Sequence, residues 1–184
     1  ATHLLTGENQ TALTQGYYSD YTKFSDSEAE AIRRYYDYMI RYENLFFDPE
    51  LQDVTMTHTG WDNYEYQCTS HKVSSYGEAG KIWMILREKD YRKCIYLLNL
   101  CGQSEDYWNE GKEEPNIQKD IKFTVQVDTP VEKICFSTPD GKNMDAVELL
   151  FTERATRTGK FIDFTVPSLN YWTTIWIDTR KETI

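Results

Sequence analysis

Residues 80–115 read GKIWMILREKDYRKCIYLLNLCGQSEDYWNEGKEEP, and this stretch decides the fold. Two apolar runs, 81–86 and 94–100, flank the charged residues Arg87-Glu88-Lys89-Asp90. Continuous apolar runs of strand length point to strands buried on both faces, and a charged turn between them makes a β-hairpin in the middle of a sheet. A polar loop then leaves the second strand carrying Trp108, Asn109, Gly111, Lys112 and Pro115.

The same character extends on both sides of the hairpin. Short strand-like runs cover 54–58, 64–68, 81–87, 93–100, 120–127, 132–136, 146–151, 160–166 and 171–178. The cleanest, Ile121-Lys122-Phe123-Thr124-Val125-Gln126-Val127, alternates strictly, one face for the core and one for water. Asp140-Gly141 and Thr158-Gly159 supply turn chemistry, and no helical period follows Leu51. Residues 52–184 are therefore expected to form an antiparallel β-sandwich of Greek-key type, its sheets burying alternate residues against each other.

Before residue 52 the period changes. Ser27 with Glu30 fits a capping box, and Ala29, Ile32, Tyr36, Met39 and Phe46, with Tyr35 and Tyr42, recur at helical spacing. Asp48-Pro49 closes that helix, expected over 27–47. Its broad aromatic stripe must bury against something larger than itself. Residues 10–26 read as a polar, tyrosine-bearing loop, and 1–6 as a short apolar strand ending in Gly7-Glu8-Asn9.

Bulk properties exclude several functions. A net charge of −10 and a pI near 4.8 leave no basic face for nucleic acid. No apolar run approaches the roughly 20 residues that cross a bilayer, and no signal peptide opens the chain. A start inside an apolar run suggests a trimmed product or, preferably, a fragment. The length, 184 residues, fits one domain or one domain plus part of another. Cys68, Cys94, Cys101 and Cys135 show no CxxC spacing, so no zinc site is expected, and buried thiols are preferred over disulfides. His3, His58 and His71 are scattered without a serine or cysteine elbow, and no glycine-rich phosphate loop occurs. No cofactor is expected. Aromatics make up 15% of the chain, which suits both strands and sugar-stacking platforms.

Several separated motifs carry a resemblance. They are Ile95-Tyr96-Leu97-Leu98-Asn99-Leu100, then Trp108-Asn109-x-Gly111-Lys112-x-x-Pro115, then Ser137-Thr138-Pro139-Asp140 and Val166-Pro167-x-Leu169-x-Tyr171-Trp172. Upstream stand His3-Leu4-Leu5-Thr6-Gly7-Glu8 and Arg33-Arg34-Tyr35-Tyr36-Asp37. Together they resemble the C-terminal β domain of glycoside hydrolase family 66, the bacterial dextranases and cycloisomaltooligosaccharide glucanotransferases. The resemblance implies that residues 1–51 are the terminal strand, loop and helix of a catalytic (β/α)₈ barrel. It implies a complete enzyme that acts on α-1,6-glucan with retention, secreted or periplasmic because its substrate is a polymer.

It also restricts the site. In that family the nucleophilic aspartate and the acid/base glutamate lie on earlier barrel strands, and no segment here matches the regions that carry them. No catalytic residue is assigned, and the chain alone is expected to hydrolyse nothing. Glu8 and Asn9, at the end of the implied last barrel strand, are candidates for touching sugar, with a solvated turn as the alternative for Glu8. Trp61 and Trp108 lie in loops where a ring could stack on glucose, or could cap the core instead. Asp37 and Glu43 on the helix, and Glu110, Glu113 and Glu114 in a charged loop, read as solvated. The class-level alternatives are a family 66 enzyme part, hydrolase preferred over cyclising transferase, an autonomous carbohydrate-binding sandwich, and plain scaffold. The enzyme part is preferred, because carbohydrate-binding sandwiches rarely open with a long aromatic helix. On sequence alone the isolated chain is expected neither to cleave nor to bind glucan.

Overall fold

The computed structural model describes residues 24–59, 63–107 and 111–180. The chain divides into two compact units, Ala1–Asp48 and Pro49–Ile184.

In the first unit, α1 (Asp26–Arg41) is followed by α2 (Glu43–Phe46). The expected strand at 1–6 lies outside the described residues, as does nearly all of the expected loop. The capping box is real but begins two residues earlier than expected, at Ser25 with Glu28. Ser25 has extended backbone, its hydroxyl accepts the Glu28 N–H, and its own N–H donates to the Glu28 carboxylate at 2.8 Å. This choice puts Asp26 and Glu28 in the first turn, where the helix dipole favours negative charge. The expected single helix breaks at Tyr42, whose φ of −115° and ψ of 34° interrupt the helical run. Tyr38 is fully buried and touches Tyr42 at 5.1 Å and Phe46 at 5.7 Å between ring centroids. The sequence pattern picked Tyr36 and passed over Tyr38, one helical row away.

The second unit is a mainly β, two-sheet structure. Its strands are β1 (Gln52–Asp53), β2 (Tyr66–Cys68), β3 (Val73–Ser74), β4 (Ile82–Lys89), β5 (Arg92–Asn99), β6 (Gln118–Val127), β7 (Val131–Ser137), β8 (Val147–Leu149), β9 (Phe151–Thr156), β10 (Gly159–Leu169) and β11 (Trp172–Thr179). Among the described residues one sheet runs β1-β4-β5-β11-β7-β8, with β3 also on β4, and the other runs β2-β6-β10-β9. All pairings are antiparallel except β3–β4. Between the sheets lies the core, with Met84, Leu86, Ile95, Leu97 and Ile175 facing Ile121, Phe123, Val125, Ile162 and Phe164.

The seven-stranded sheet is also buried on its other face, where Trp172, Tyr96, Leu98, Cys94 and Trp176 lie. That two-sided burial is why 81–86 and 94–100 read as continuous apolar runs rather than alternating ones. Their hairpin is tighter than expected. Arg87, Glu88 and Lys89 belong to β4, Lys89 pairs with Arg92, and only Asp90 and Tyr91 turn. Charge survives in the strand because it is answered across the ladder, with Glu88 opposite Lys93.

Two further expectations are corrected. Residues 54–58 form turns, because Thr55 N–H bonds the Asp53 carboxylate at 2.8 Å and the Thr57 hydroxyl bonds the Val54 carbonyl at 3.1 Å. The expected strand 146–151 is two strands in different sheets, β8 on β7 and β9 on β10. Leu150, at the crossing between them, is 95% exposed.

Candidate functional site

Glu8, Asn9, Trp61 and Trp108 all lie outside the described residues, as do His3, Asn109 and Glu110. The described residues on either side of 108–110 bond to one another. Lys112 pairs with Glu105 and donates to the Tyr107 carbonyl, and Gln103 donates to the Glu113 carbonyl at 2.8 Å. Tyr107 itself is exposed and Pro115 is buried. Asp37, Glu43, Glu113 and Glu114 are exposed, as expected of solvated carboxylates.

The motifs in β5, after β7 and before β11 meet at one end of the sandwich and form a latch. Asn99 ends β5 and is nearly buried. Its amide donates to the carbonyls of Asn116 at 2.9 Å and Asn170 at 2.7 Å, with a longer bond to Leu169, while its oxygen accepts the Cys101 N–H at 3.0 Å. One side chain thus ties β5 to the loop before β6 and to the β10–β11 turn. Close by, Gly102 holds φ at +92°, and a Cβ there would stand 2.7 Å from the Asn116 amide. Asp140 does the same for β11. Its Oδ2 accepts the N–H of Tyr171 at 2.8 Å and of Trp172 at 2.7 Å. The Thr138 hydroxyl donates to the Trp172 carbonyl at 2.6 Å. Asn99, Thr138 and Asp140 therefore close the loops at this end of the sandwich, and Tyr171 and Trp172 supply the backbone groups that they hold. Replacing Asp140 with alanine is expected to cost about 2 kcal/mol, since two backbone N–H groups lose a charged acceptor. Thermal unfolding checks this, and a cost under about 0.5 kcal/mol would remove the latch role.

The opposite end holds a cleft of about 660 Å³, bounded by the β4–β5 hairpin, the loop after β6 and the end of β11. Its lining includes His58, Glu88, Asp90, Tyr91, Lys93 and Asp128. Glu88 Oε1 accepts the Tyr66 hydroxyl at 2.5 Å and the Lys93 ammonium at 2.7 Å. Burial alone would raise the Glu88 pKa, but Lys93 and Tyr66 outweigh it and hold the carboxyl below its ordinary value of 4.5. Tyr66 is pushed up, first by burial and then by the Glu88 charge. Arg92 donates to Asp178 at 2.6 Å across the strands, and Lys89 reaches Glu50 at 3.5 Å.

The Glu88 group has a pH consequence. Its folded pKa lies below the unfolded one, so its stabilisation is fully present above 4.5 and is lost as pH falls through the depressed folded value. Glu88→Gln is expected to flatten the acid limb of the stability curve and leave the neutral-to-basic side parallel to wild type. Urea midpoints measured between acid and neutral pH test it, and an unchanged acid limb counts against the pairing.

The remaining candidates hold structural places. His58 Nδ1 sits 2.8 Å from the Thr57 hydroxyl and His71 Nδ1 2.6 Å from the Ser70 hydroxyl. All four cysteines are free, Cys94 and Cys135 buried, and burial pushes the Cys94 thiol up to about 12. Among the described residues no group of His, Cys, Asp and Glu gathers as a metal site. No helix there is long and apolar enough to cross a membrane. The sequence reading missed the cleft because its charged hairpin end looked like an ordinary solvated turn.

Known proteins resemble this chain. Two cycloisomaltooligosaccharide glucanotransferases of Niallia circulans are 29% and 26% identical to it over 180 residues, 96% of this chain. The chain spans only 18% of the length of each. A cycloisomaltooligosaccharide glucanotransferase from a Paenibacillus species, solved with cycloisomaltoheptaose, superposes with a TM-score of 0.73 over 86% of this chain and 23% of that one, at 22% identity. The model of glycosyl hydrolase family 66 matches residues 1–176. By that match, which takes in both units, the chain belongs to glycosyl hydrolase family 66.

Proposed function

We propose that this chain is the C-terminal part of a family 66 enzyme acting on α-1,6-glucan, a barrel end followed by a supporting β-sandwich. The observation that carries the reading is the family match over both units, joined to relatives of which the chain spans 18%. Residues 1–51 then supply the last strand and helix of the (β/α)₈ barrel, and 52–184 the sandwich. The aspartate nucleophile and acid/base glutamate of a retaining mechanism come from sequence outside this chain, and the covalent glucosyl intermediate forms there. Glu8, Asn9, Trp61 and Trp108 keep their place as sugar-contacting candidates. A polymeric substrate places the enzyme outside the cytoplasm, secreted or periplasmic.

Sequence simplicity favoured a hydrolase. Both curated relatives are named as cyclising transferases, so the proposal moves to a cycloisomaltooligosaccharide glucanotransferase. The test has two arms. Dextran incubated with this chain alone is expected to release no reducing sugar, and cleavage would show that the catalytic pair is here. The longer enzyme is expected to convert dextran to cyclic products resolved by mass, and linear products alone would return the reading to dextranase.

A further inference from the structure

The cleft at the hairpin end has the size of small-molecule sites, which run from roughly 300 to 1,000 Å³. Its chemistry narrows the ligand. The lining cations are already answered, Lys93 by Glu88, Arg92 by Asp178 and Lys89 by Glu50. An anion therefore meets no unpaired positive charge, and the chain's net charge of −10 repels it further. Asp90 and Asp128, by contrast, meet no cation within ion-pair distance among the described residues. They are acceptors waiting for donors, but the described His, Cys, Asp and Glu side chains form no metal-holding group. Donors that are neutral and come in numbers are hydroxyls. Thr129, Thr179 and Gln52 add groups that both give and accept hydrogen bonds, and Tyr91, held by the Lys89 ammonium 4.6 Å over its ring, adds an aromatic wall. The Glu88–Lys93 and Glu88–Tyr66 bonds hold two of the lining side chains, Glu88 and Lys93, in place.

We infer that this cleft binds a short neutral oligosaccharide, with Asp90 and Asp128 accepting sugar hydroxyls and Tyr91 packing against the ring. That the sugar is an α-1,6-linked glucan segment rests on the function proposed above. Binding here would run against the sequence-level expectation that the isolated chain binds no glucan.

Calorimetric titration of the 184-residue chain with isomaltotetraose tests it. Saturable binding with Kd on the order of 1 mM is expected. Asp128→Ala and Tyr91→Ala should each weaken it about fivefold or more. Thr165→Ala, on the outer face of the four-stranded sheet, should bind like wild type, and near-UV circular dichroism confirms that each variant is folded. No saturable binding up to about 20 mM sugar, or wild-type affinity in both cleft variants, overturns the site. Equal affinity for maltotetraose keeps the cleft as a sugar site and overturns its tie to an α-1,6 chain. Product analysis of the longer enzyme on dextran reads the family activity separately, so the two ideas fail independently.

Discussion

Asn99→Leu is expected to destabilise the sandwich by about 3 kcal/mol, read as a lower urea midpoint with an unchanged slope. Leucine keeps the branched heavy-atom skeleton of asparagine while removing its hydrogen bonds. The loss comes from what the side chain leaves behind. The Cys101 N–H loses its acceptor, and three carbonyls lose a donor, the one of Leu169 on a buried residue. Unmet buried groups of this kind cost about 1–3 kcal/mol each, and partial access to water at Asn116 and Asn170 holds the sum down. Asn99→Asp should be no rescue, because a carboxylate would face the same carbonyls. Asn116→Ala is the control. Its carbonyl remains, so a change within about 0.5 kcal/mol is expected. A cost below about 1 kcal/mol for Asn99→Leu would mean that the latch closes without its central amide.

Phe123→Ala should cost more, about 3–5 kcal/mol. Phe123 is 1% exposed on the inner face of β6 and stacks on Phe164 with centroids 5.5 Å apart and planes 19° from parallel. The two rings are cross-strand neighbours on β6 and β10, so truncating one leaves a hole that the ladder cannot close by sliding. Phe123→Leu keeps most of the volume and should cost under about 2 kcal/mol. The same urea measurement ranks them. A cost under about 2 kcal/mol for the alanine variant would show that the two sheets settle toward each other and that the core is softer than its burial suggests.

How much of this was legible beforehand depended on whether the signal was local. Ile121 to Val127 declared itself, because alternation is a property of one strand and its own pleat. The hairpin was found but its turn was misplaced, since Glu88 and Lys89 look like turn residues until Lys93 and Glu50 are seen beside them. Residues 54–58 carry β-branched side chains yet turn, because hydroxyl and carboxylate bonds to nearby backbone compete with the ladder. The split at Leu150 had no local mark at all; only the partners β7 and β10 distinguish β8 from β9. The site fared differently. The motifs were visible as motifs, but their work as a latch depends on bonds between residues 17 to 71 apart in the chain. The cleft was illegible for the same reason, its walls coming from hairpin, loop and final strand.

The order of strands in the seven-stranded sheet also has a meaning in time. β11 inserts between β5 and β7, and the partner of Arg92 is Asp178, 86 residues later. A ribosome adding about 5–20 residues per second needs roughly 4–17 s to deliver that partner. Through that interval the β5 edge, Arg92–Asn99, stands unpaired with Ile95, Tyr96, Leu97 and Leu98 along it. Such an edge is a template for any neighbouring chain. The strand that ends deepest in the finished sheet is thus the most vulnerable one on the polysome. Yield in the cell depends on what shelters it until the last strand emerges.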